Sequence, residues 1–133
     1  MTEKLEMYKC GICGNLVQVI LEGSGTLVCC AQDMELLAPH GLEDEMLNEK
    51  HVPAFIETED GGEIRIGSIP HPMLPEHYIM FIEAVSAEKD WFKLKYLHPG
   101  DEPKMLLKHK FDKTKALAYC NLHGLWTKTA KND

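Results

Sequence analysis

The sequence predicts an all-β protein in which a small cysteine-rich module precedes an antiparallel β-sandwich. Four of the five cysteines lie within the first 30 residues, and short strand candidates separated by turn signals occupy most of the remaining chain. No stretch has the periodicity of a convincing amphipathic helix. The predicted organisation is a module over residues 1–38, an acidic linker over 39–48 that is broken by Pro39 and Gly41, and the sandwich over 49–133.

Seven segments after the linker have the composition of strands. The segment 63–66, Glu-Ile-Arg-Ile, alternates between polar and apolar residues, and the pairs Gly61-Gly62 and Pro99-Gly100 supply turns. Short strands that recur at intervals of roughly 8–12 residues favour a β-sandwich. The predicted strands span residues 52–58, 63–69, 77–85, 91–97, 104–110, 115–120 and 125–129.

The module contains the motif Cys10-Gly-Ile-Cys13 and the adjacent pair Cys29-Cys30. A predicted hairpin, with one strand over 16–21 and a turn over 23–25, lies between the two motifs. Two facing pairs of thiols form a tetrahedral site for iron or zinc. The alternative, four reduced core cysteines, places too many thiols in too few residues. Because a module of this size is too small to be stable on apolar burial alone, the metal is part of its fold.

Five further candidate ligands are spread over the second part of the chain. Proline follows His51 after one residue and His71 directly, which restricts the backbone near each histidine toward extended geometry. All five lie at predicted strand ends or in loops, where side chains from distant segments can converge. The candidates are His51, His71, His77, Cys120 and His123.

Four imidazoles and one thiolate suit iron, zinc or copper, so the ligand types leave the metal open. Five protein ligands on a metal that prefers six leave one position for a substrate, which is typical of a catalytic site. If Cys120 lies opposite that position, its thiolate donates electron density toward a bound dioxygen species. The remaining histidines, His40, His98 and His109, have no comparable context and are not candidates.

Charge is distributed unevenly along the chain. Residues 1–87 carry 4 basic and 15 acidic side chains, a net of -11, and residues 88–133 carry 10 and 6, a net of +4, which together give the formal net charge of -7. This balance argues against a nucleic-acid-binding protein, although the basic part could dock an acidic redox partner. No apolar run is long enough to span a bilayer and no signal-peptide pattern is present, so we expect a cytoplasmic protein without a membrane partner.

In combination, these motifs closely resemble desulfoferrodoxin, the two-iron type of superoxide reductase. The resemblance covers nearly the whole chain. The matching motifs are Tyr8-Lys-Cys10-x-x-Cys13-Gly-Asn with Cys29-Cys30, Glu49-Lys50-His51-Val-Pro, Gly67-Ser-x-x-His71-Pro-Met, Glu76-His77-Tyr-Ile and Cys120-Asn-x-His123-Gly-x-Trp126.

The resemblance implies a desulforedoxin-like module and an immunoglobulin-like sandwich, with one iron ion in each. The first iron would be tetrahedral and held by Cys10, Cys13, Cys29 and Cys30. The second would be square-pyramidal and catalytic, with His51, His71, His77 and His123 equatorial and Cys120 axial. The implied protein is a homodimer.

The implied reaction is the one-electron reduction of superoxide, with two protons, to hydrogen peroxide, using electrons from a small carrier such as rubredoxin. Lys50 would attract the anionic substrate to a protein of negative net charge. Glu49 would move onto the open position after oxidation of the iron and displace the product. The simpler interpretations are a solvated lysine and one more acidic residue of the linker.

The chain departs from the family pattern after the cysteine pair, where it has Ala31-Gln-Asp33-Met in place of the usual glycine and proline. If the family glycine has a positive φ, an alanine there costs about 1 kcal/mol. Two other functions remain open from the residues alone. One is an electron-transfer protein with a closed second site, and the other is an interaction module held together by zinc.

Overall fold

The computed structural model of the protein describes residues 1–41, 51–67, 71–108 and 113–130. The chain divides into two compact units, Met1–Ala38 and Pro39–Asp133. The described residues form twelve β-strands, five in the first unit and seven in the second. The predicted all-β fold is therefore confirmed. Within the described ranges, no helix has the length and apolar character needed to cross a membrane.

The first unit contains a three-stranded antiparallel sheet in the order β2-β1-β5 and a separate two-stranded sheet of β3 and β4. The strands are β1 Met7–Lys9, β2 Leu16–Gln18, β3 Val28–Cys29, β4 Gln32–Asp33 and β5 Glu35–Leu36. Its buried apolar side chains in the described residues are Met7, Cys10 and Val19. So small a core fits the expectation that apolar burial alone does not stabilise this unit.

The predicted hairpin between the two cysteine motifs is wrong in its pairing. β2 pairs with β1, with Tyr8 opposite Val17, while β3 pairs with β4, with Cys29 opposite Gln32. Each cysteine motif thus belongs to its own short hairpin. The alternating pattern of residues 16–21 identified a strand but not its partner, because the partner β1 is only three residues long and has little pattern of its own.

The second unit is a sandwich of two antiparallel sheets, one in the order β10-β7-β6 and the other in the order β12-β11-β8-β9. A three-stranded and a four-stranded sheet are the arrangement of an immunoglobulin-like sandwich. The strands are β6 Pro53–Thr58, β7 Gly61–Ile66, β8 Ile79–Val85, β9 Phe92–Tyr96, β10 Lys104–Leu107, β11 Lys115–Cys120 and β12 Gly124–Thr129. All seven predicted strands are present, with ends that differ by a few residues.

The core of the sandwich lies between the two sheets. Alternate residues of the strands face inward, as the period of two along a strand requires. The buried cluster is Ile64, Ile66, Ile79, Ile82, Ala84, Leu97, Met105, Leu107, Ala116, Ala118, Cys120 and Ala130. Because Cys120 belongs to this cluster, one candidate metal ligand is fixed directly by the packing of the core.

Part of the predicted linker is structured. The backbone N–H of His40 donates to the carbonyl of Leu125, and the N–H of Thr127 donates to the carbonyl of His40. His40 therefore lies alongside β12, and the second unit begins at Pro39. Residues 42–48 of the predicted linker lie outside the described residues.

Truncation of a core side chain tests the sandwich. Ile82 on β8 is fully buried in the core cluster. We expect Ile82→Ala to lower the free energy of unfolding of the second unit by about 2–5 kcal/mol, because transfer energy is lost and a cavity remains. The measurement is denaturant unfolding, with Ile56→Ala as the control, because Ile56 on β6 is 40% exposed. Equal losses in the two variants would contradict the described core.

Candidate metal centres

Four cysteines of the first unit lie close enough together to bind one metal ion. The Sγ atoms of Cys10, Cys13, Cys29 and Cys30 all lie within 4.8 Å of one another. The Sγ atoms of Cys13 and Cys29 are 3.6 Å apart, and those of Cys29 and Cys30 are 4.0 Å apart. Four thiolates at about 2.3 Å from a central metal in tetrahedral geometry have Sγ atoms about 3.8 Å apart. The cluster therefore fits a tetrahedral metal site.

Backbone amides prepare Cys10 for ionisation. The N–H groups of Cys13 and Ile12 each point at Sγ of Cys10 from 3.4 Å and lower the pKa of this thiol to about 6. The neighbouring thiols have the opposite effect on Cys30, whose pKa is raised to about 12 by hydrogen bonds with Cys13 and Cys10. One thiolate forms readily at neutral pH, whereas the complete set requires a cation among the sulfurs.

The turn after Cys29 has two residues with left-handed backbone geometry. Cys30 has a φ of 53° and Ala31 a φ of 62°. A left-handed residue with a Cβ atom is strained relative to glycine. Ala31 therefore has the positive φ on which the expected cost of about 1 kcal/mol depends. Asp33 follows on β4, opposite Val28, and nothing in the structure assigns it a role at the sulfurs.

Four histidines and Cys120 converge in the second unit. The ligand atoms of His51, His71, His77 and Cys120 lie within 4.8 Å of one another. His123 completes the group, because its Nδ1 is 3.7 Å from Sγ of Cys120 and 3.1 Å from Nε2 of His51. These residues come from three segments of the chain: the segment just before β6, the segment between β7 and β8, and the end of β11 with the turn that follows it. The structure therefore brings together all five predicted residues.

The four imidazoles are arranged around a square. Ring centroids of neighbouring histidines are 4.5 Å apart for His51 and His71, 4.7 Å for His71 and His77, 5.1 Å for His77 and His123 and 4.8 Å for His123 and His51. The diagonal from His51 to His77 is 6.3 Å. Four imidazoles at these spacings could surround a single metal ion.

The nitrogen distances also fit a metal. Nε2 of His51 is 3.0 Å from Nε2 of His71 and 3.1 Å from Nδ1 of His123. Two imidazole nitrogens at right angles on a metal, each about 2.1 Å from it, are about 3.0 Å apart. His51 therefore has two neighbours at the spacing expected of adjacent ligands.

Burial and hydrogen bonding prepare His71 to bind a metal. Its Nδ1 lies 2.7 Å from the carbonyl oxygen of Pro72, which as an acceptor requires the proton on Nδ1 and leaves the lone pair on Nε2. Burial, together with the other imidazoles, lowers the pKa of His71 to about 4. The ring is therefore neutral at physiological pH, as a metal ligand must be.

Cys120 and the surrounding groups define a buried side and a more open side of the centre. Cys120, His51 and His71 are buried, whereas His77 and His123 are half-buried. Burial raises the pKa of the Cys120 thiol, and the backbone N–H groups of Leu122 and His123 oppose this effect. A thiolate at this position is thus costly without a cation and stabilised by one.

Two residues around the centre carry contacts that reasoning from the sequence missed. The indole of Trp126 stacks on His51, with ring centroids 4.8 Å apart, and its Nε1–H donates to the carbonyl of His123 at 3.0 Å. The side chain of Asn121 hydrogen-bonds to the residues on either side of His77. For Trp126 the available signal was its place at the end of the motif Cys120-Asn-x-His123-Gly-x-Trp126. A turn position between two candidate ligands was the available signal for Asn121.

The structure describes two of the three histidines that were not candidate ligands. The ring of His40 contacts that of Trp126 at an interplanar angle of 41°, and Nδ1 of His98 lies 3.4 Å from Oδ2 of Asp101. Lys50, Glu49 and His109 lie outside the described residues.

Two family models match the chain. The desulfoferrodoxin N-terminal domain matches residues 2–37, and the desulfoferrodoxin domain matches residues 43–129. A desulfoferrodoxin from Syntrophotalea carbinolica is 42% identical over 127 residues, which cover 96% of this chain and 98% of the relative. The chain belongs to the desulfoferrodoxin family.

Two further proteins are similar to this chain. A superoxide reductase from Pyrococcus abyssi is 37% identical over 109 residues, covering 59% of this chain and 83% of the relative. The crystal structure of the superoxide reductase from Treponema pallidum has a TM-score of 0.68 at 23% identity, covering 96% of this chain and 99% of that chain. At this identity the structural match supports the fold.

Membership of the desulfoferrodoxin family also identifies the metal. Desulfoferrodoxin domains bind two irons, and this chain has one matching group of donors in each unit. Sulfur and imidazole donors suit iron, and the spacings in both groups fit a bound ion. The protein therefore has two iron ions per chain as its cofactors.

Replacement of Ala31 tests the left-handed turn at the first centre. We expect Ala31→Gly to stabilise the first unit by up to about 1 kcal/mol, because glycine adopts positive φ without strain. The measurement is the rate of iron loss from the four-cysteine site in denaturant, which should fall. Ala38→Gly is the control, because Ala38 is not among the positive-φ residues. An equal or faster loss in Ala31→Gly would contradict strain at this turn.

Proposed function

We propose that this protein is a superoxide reductase that detoxifies superoxide at the second centre. The reaction consumes one superoxide, one electron and two protons and yields one hydrogen peroxide. The observation that carries the proposal is the square of four imidazoles beside the buried thiol of Cys120. The similarity to a superoxide reductase over 59% of the chain supports the same activity.

Each ligand of the second centre would have a defined place around the iron, which would supply the electron to superoxide when bound. His51, His71, His77 and His123 would hold the four equatorial positions, and Cys120 would hold the axial one from the buried side. This leaves the opposite face for a small anion, and the half-buried rings of His77 and His123 support access from solvent.

Two charged residues adjacent to His51 in the sequence would act on the substrate and the product. Lys50 would attract superoxide by local positive charge in a protein with a net charge of -7. Glu49 would take the open position after turnover and displace the peroxide. Their place next to a candidate ligand in the sequence supports both roles.

The four-cysteine centre would be a closed, structural iron site, with Cys10, Cys13, Cys29 and Cys30 as ligands. Four protein ligands complete a tetrahedral set and leave no position for substrate. The organisation into a module over 1–38, a linker over 39–48 and a catalytic sandwich over 49–133 is part of the proposal. The division of the chain after Ala38 supports its first boundary.

The partners would be a small electron carrier such as rubredoxin and a second copy of the chain. The lysine-rich part of the sequence, with a net charge of +4 over residues 88–133, supports docking of an acidic carrier. Exposed apolar side chains of the first unit, among them Ile20, Leu21 and Val28, support a homodimer. Reduced cysteines that serve as metal ligands fit a cytoplasmic location.

An assay of the purified iron-loaded protein tests the function. Superoxide generated under anaerobic conditions should be reduced to peroxide, with consumption of one electron from an added reductant for each peroxide formed. Iron that changes oxidation state without forming peroxide would instead indicate an electron-transfer protein with a closed second site. A colourless protein that contains only zinc would indicate an interaction module.

Substitution of the axial ligand should remove a specific spectroscopic signature. We expect Cys120→Ser to abolish the sulfur-to-iron charge-transfer band of the oxidised second centre, because the variant has no thiolate there. The bands of the four-cysteine centre should remain and serve as the internal control. Persistence of the second-centre band in the visible spectrum would show that Cys120 is not the axial ligand.

Removal of the charge at Lys50 should slow the capture of superoxide. We expect Lys50→Ala to lower the bimolecular rate constant and flatten its dependence on ionic strength, because electrostatic steering is screened by salt. Pulse radiolysis measures this rate. Lys108→Ala, at an exposed lysine elsewhere in the sequence, is the control. An unchanged rate in Lys50→Ala, with iron content intact, would exclude the steering role.

A further inference from the structure

Asn121 connects two segments that carry candidate ligands. It lies in the turn between Cys120 and His123, while His77 lies in another part of the chain. Its Oδ1 accepts a hydrogen bond from the backbone N–H of Tyr78 at 3.0 Å, and its Nδ2 donates to the carbonyl of Glu76 at 3.1 Å. One side chain therefore binds the backbone on both sides of His77.

The same contacts continue the pairing of β11 with β8 beyond the last residue of β11. The ladder has a register shift between Tyr119 and Cys120, and its final pair is Cys120 with Ile79. The backbone N–H of Asn121 then donates to the carbonyl of Tyr78 at 3.2 Å. In an antiparallel ladder the reciprocal bond would be accepted by a main-chain carbonyl. Here the side-chain oxygen of Asn121 accepts it instead.

The side-chain acceptor of Asn121 lets the backbone turn away from the sheet while the hydrogen bond to Tyr78 is kept. After Cys120 the backbone must leave the direction of the strand to bring His123 back toward the thiol, and Nδ1 of His123 lies 3.7 Å from Sγ of Cys120. The segment with His77 must nevertheless stay attached to this end of the sheet. Asparagine is suited to both demands, because its short side chain imitates a peptide group in turns.

The segment of His77 is also closed on itself. Leu74 and His77 exchange two backbone hydrogen bonds, at 2.9 Å and 3.0 Å. These bonds fix the local shape of the turn, but they join it only to itself. The bonds of Asn121 join this turn to the turn that carries Cys120 and His123, so they set the position of the His77 imidazole relative to the other two ligands.

We propose that Asn121 is a positioning residue for His77 at the second iron centre. The inference rests on the proposed ligand roles of His77, Cys120 and His123. The side-chain hydrogen bonds described for Asn121 go to the backbone of Glu76 and Tyr78, so its role is to position His77 rather than to bind the metal or the substrate. It holds the His77 corner of the imidazole square in place relative to Cys120, and its loss should weaken and distort the centre while all five ligand residues remain.

The test compares Asn121→Ala with a control that loses a similar set of bonds elsewhere. Oγ of Ser86 donates to Asp90 and accepts from the N–H groups of Asp90 and Trp91, so Ser86→Ala removes a comparable cluster from the β8–β9 turn. Both variants are loaded with iron. The measurements are the rate of iron transfer from each centre to a chelator, the sulfur-to-iron band and the electron paramagnetic resonance signal of the oxidised second centre.

We expect Asn121→Ala to release iron from the second centre faster, with an affinity lower by about 10- to 100-fold, as is typical when an outer partner of a ligand is removed. Its charge-transfer band and resonance signal should shift. The four-cysteine centre in the same molecule should release iron at the wild-type rate. Ser86→Ala should leave all signals of the second centre unchanged, even where denaturant unfolding shows a loss of stability.

A milder variant covers the case in which Asn121→Ala fails to fold. Asn121→Ser keeps a short hydroxyl acceptor for the N–H of Tyr78 but loses the donor to Glu76, so its release rate should exceed that of the wild type. Wild-type release and spectra in both folded Asn121 variants would overturn the proposal, as would the same shifts in Ser86→Ala. If the wild-type protein forms no peroxide, the proposed function is contradicted. The iron-release rates and spectra of the Asn121 variants would still decide whether Asn121 positions His77.

Discussion

The pairing of β11 with β8 is the constraint on which the second centre depends. Cys120 ends one strand and Ile79 begins the other, and the two residues are partners in the ladder. His77 lies two residues before Ile79, so this single register brings together ligands that are far apart in the sequence. The irregularity between Tyr119 and Cys120 is of the kind that re-aims a side chain at the end of a strand. Here Cys120 packs into the core cluster, while Tyr119 stacks on Phe81.

The core of the sandwich holds the centre in a form that needs a cation. His51, His71 and Cys120 are almost completely buried, and burial lowers the pKa of His71 to about 4 and raises that of Cys120. The His71 imidazole is therefore neutral and ready to bind, whereas the thiol must lose a proton as the metal enters. The lone pairs of several nitrogens and a sulfur repel one another when these atoms lie so close together. A metal ion among them offsets this repulsion. The packing of the two sheets therefore fixes the positions of the ligands, and metal binding offsets the unfavourable free energy of holding them so close together.

Regular strand patterns made much of the sandwich predictable. β11 and β12 are six residues long, so their positions followed from the sequence within a few residues. The ligand set was also predictable, since histidines beside prolines and the Cys120-x-x-His123 motif are together typical of a metal site. The first unit was harder. Its strands are two or three residues long, and the partner of so short a strand depends on the cysteine cluster rather than on local pattern. The contacts of Asn121 and Trp126 were not predictable, because they join segments distant in sequence.

The two units depend on their metals to different degrees. In the first unit, the cysteine cluster brings together both cysteine motifs, and the described buried apolar residues there include only Met7 and Val19 besides Cys10. The second unit has a continuous apolar core between its sheets, to which Cys120 contributes as one member among twelve. Loss of metal should therefore unfold the first unit locally but leave the sandwich folded. This asymmetry is consistent with the proposed roles, in which the first centre is structural and the second reacts with a small anion from solvent.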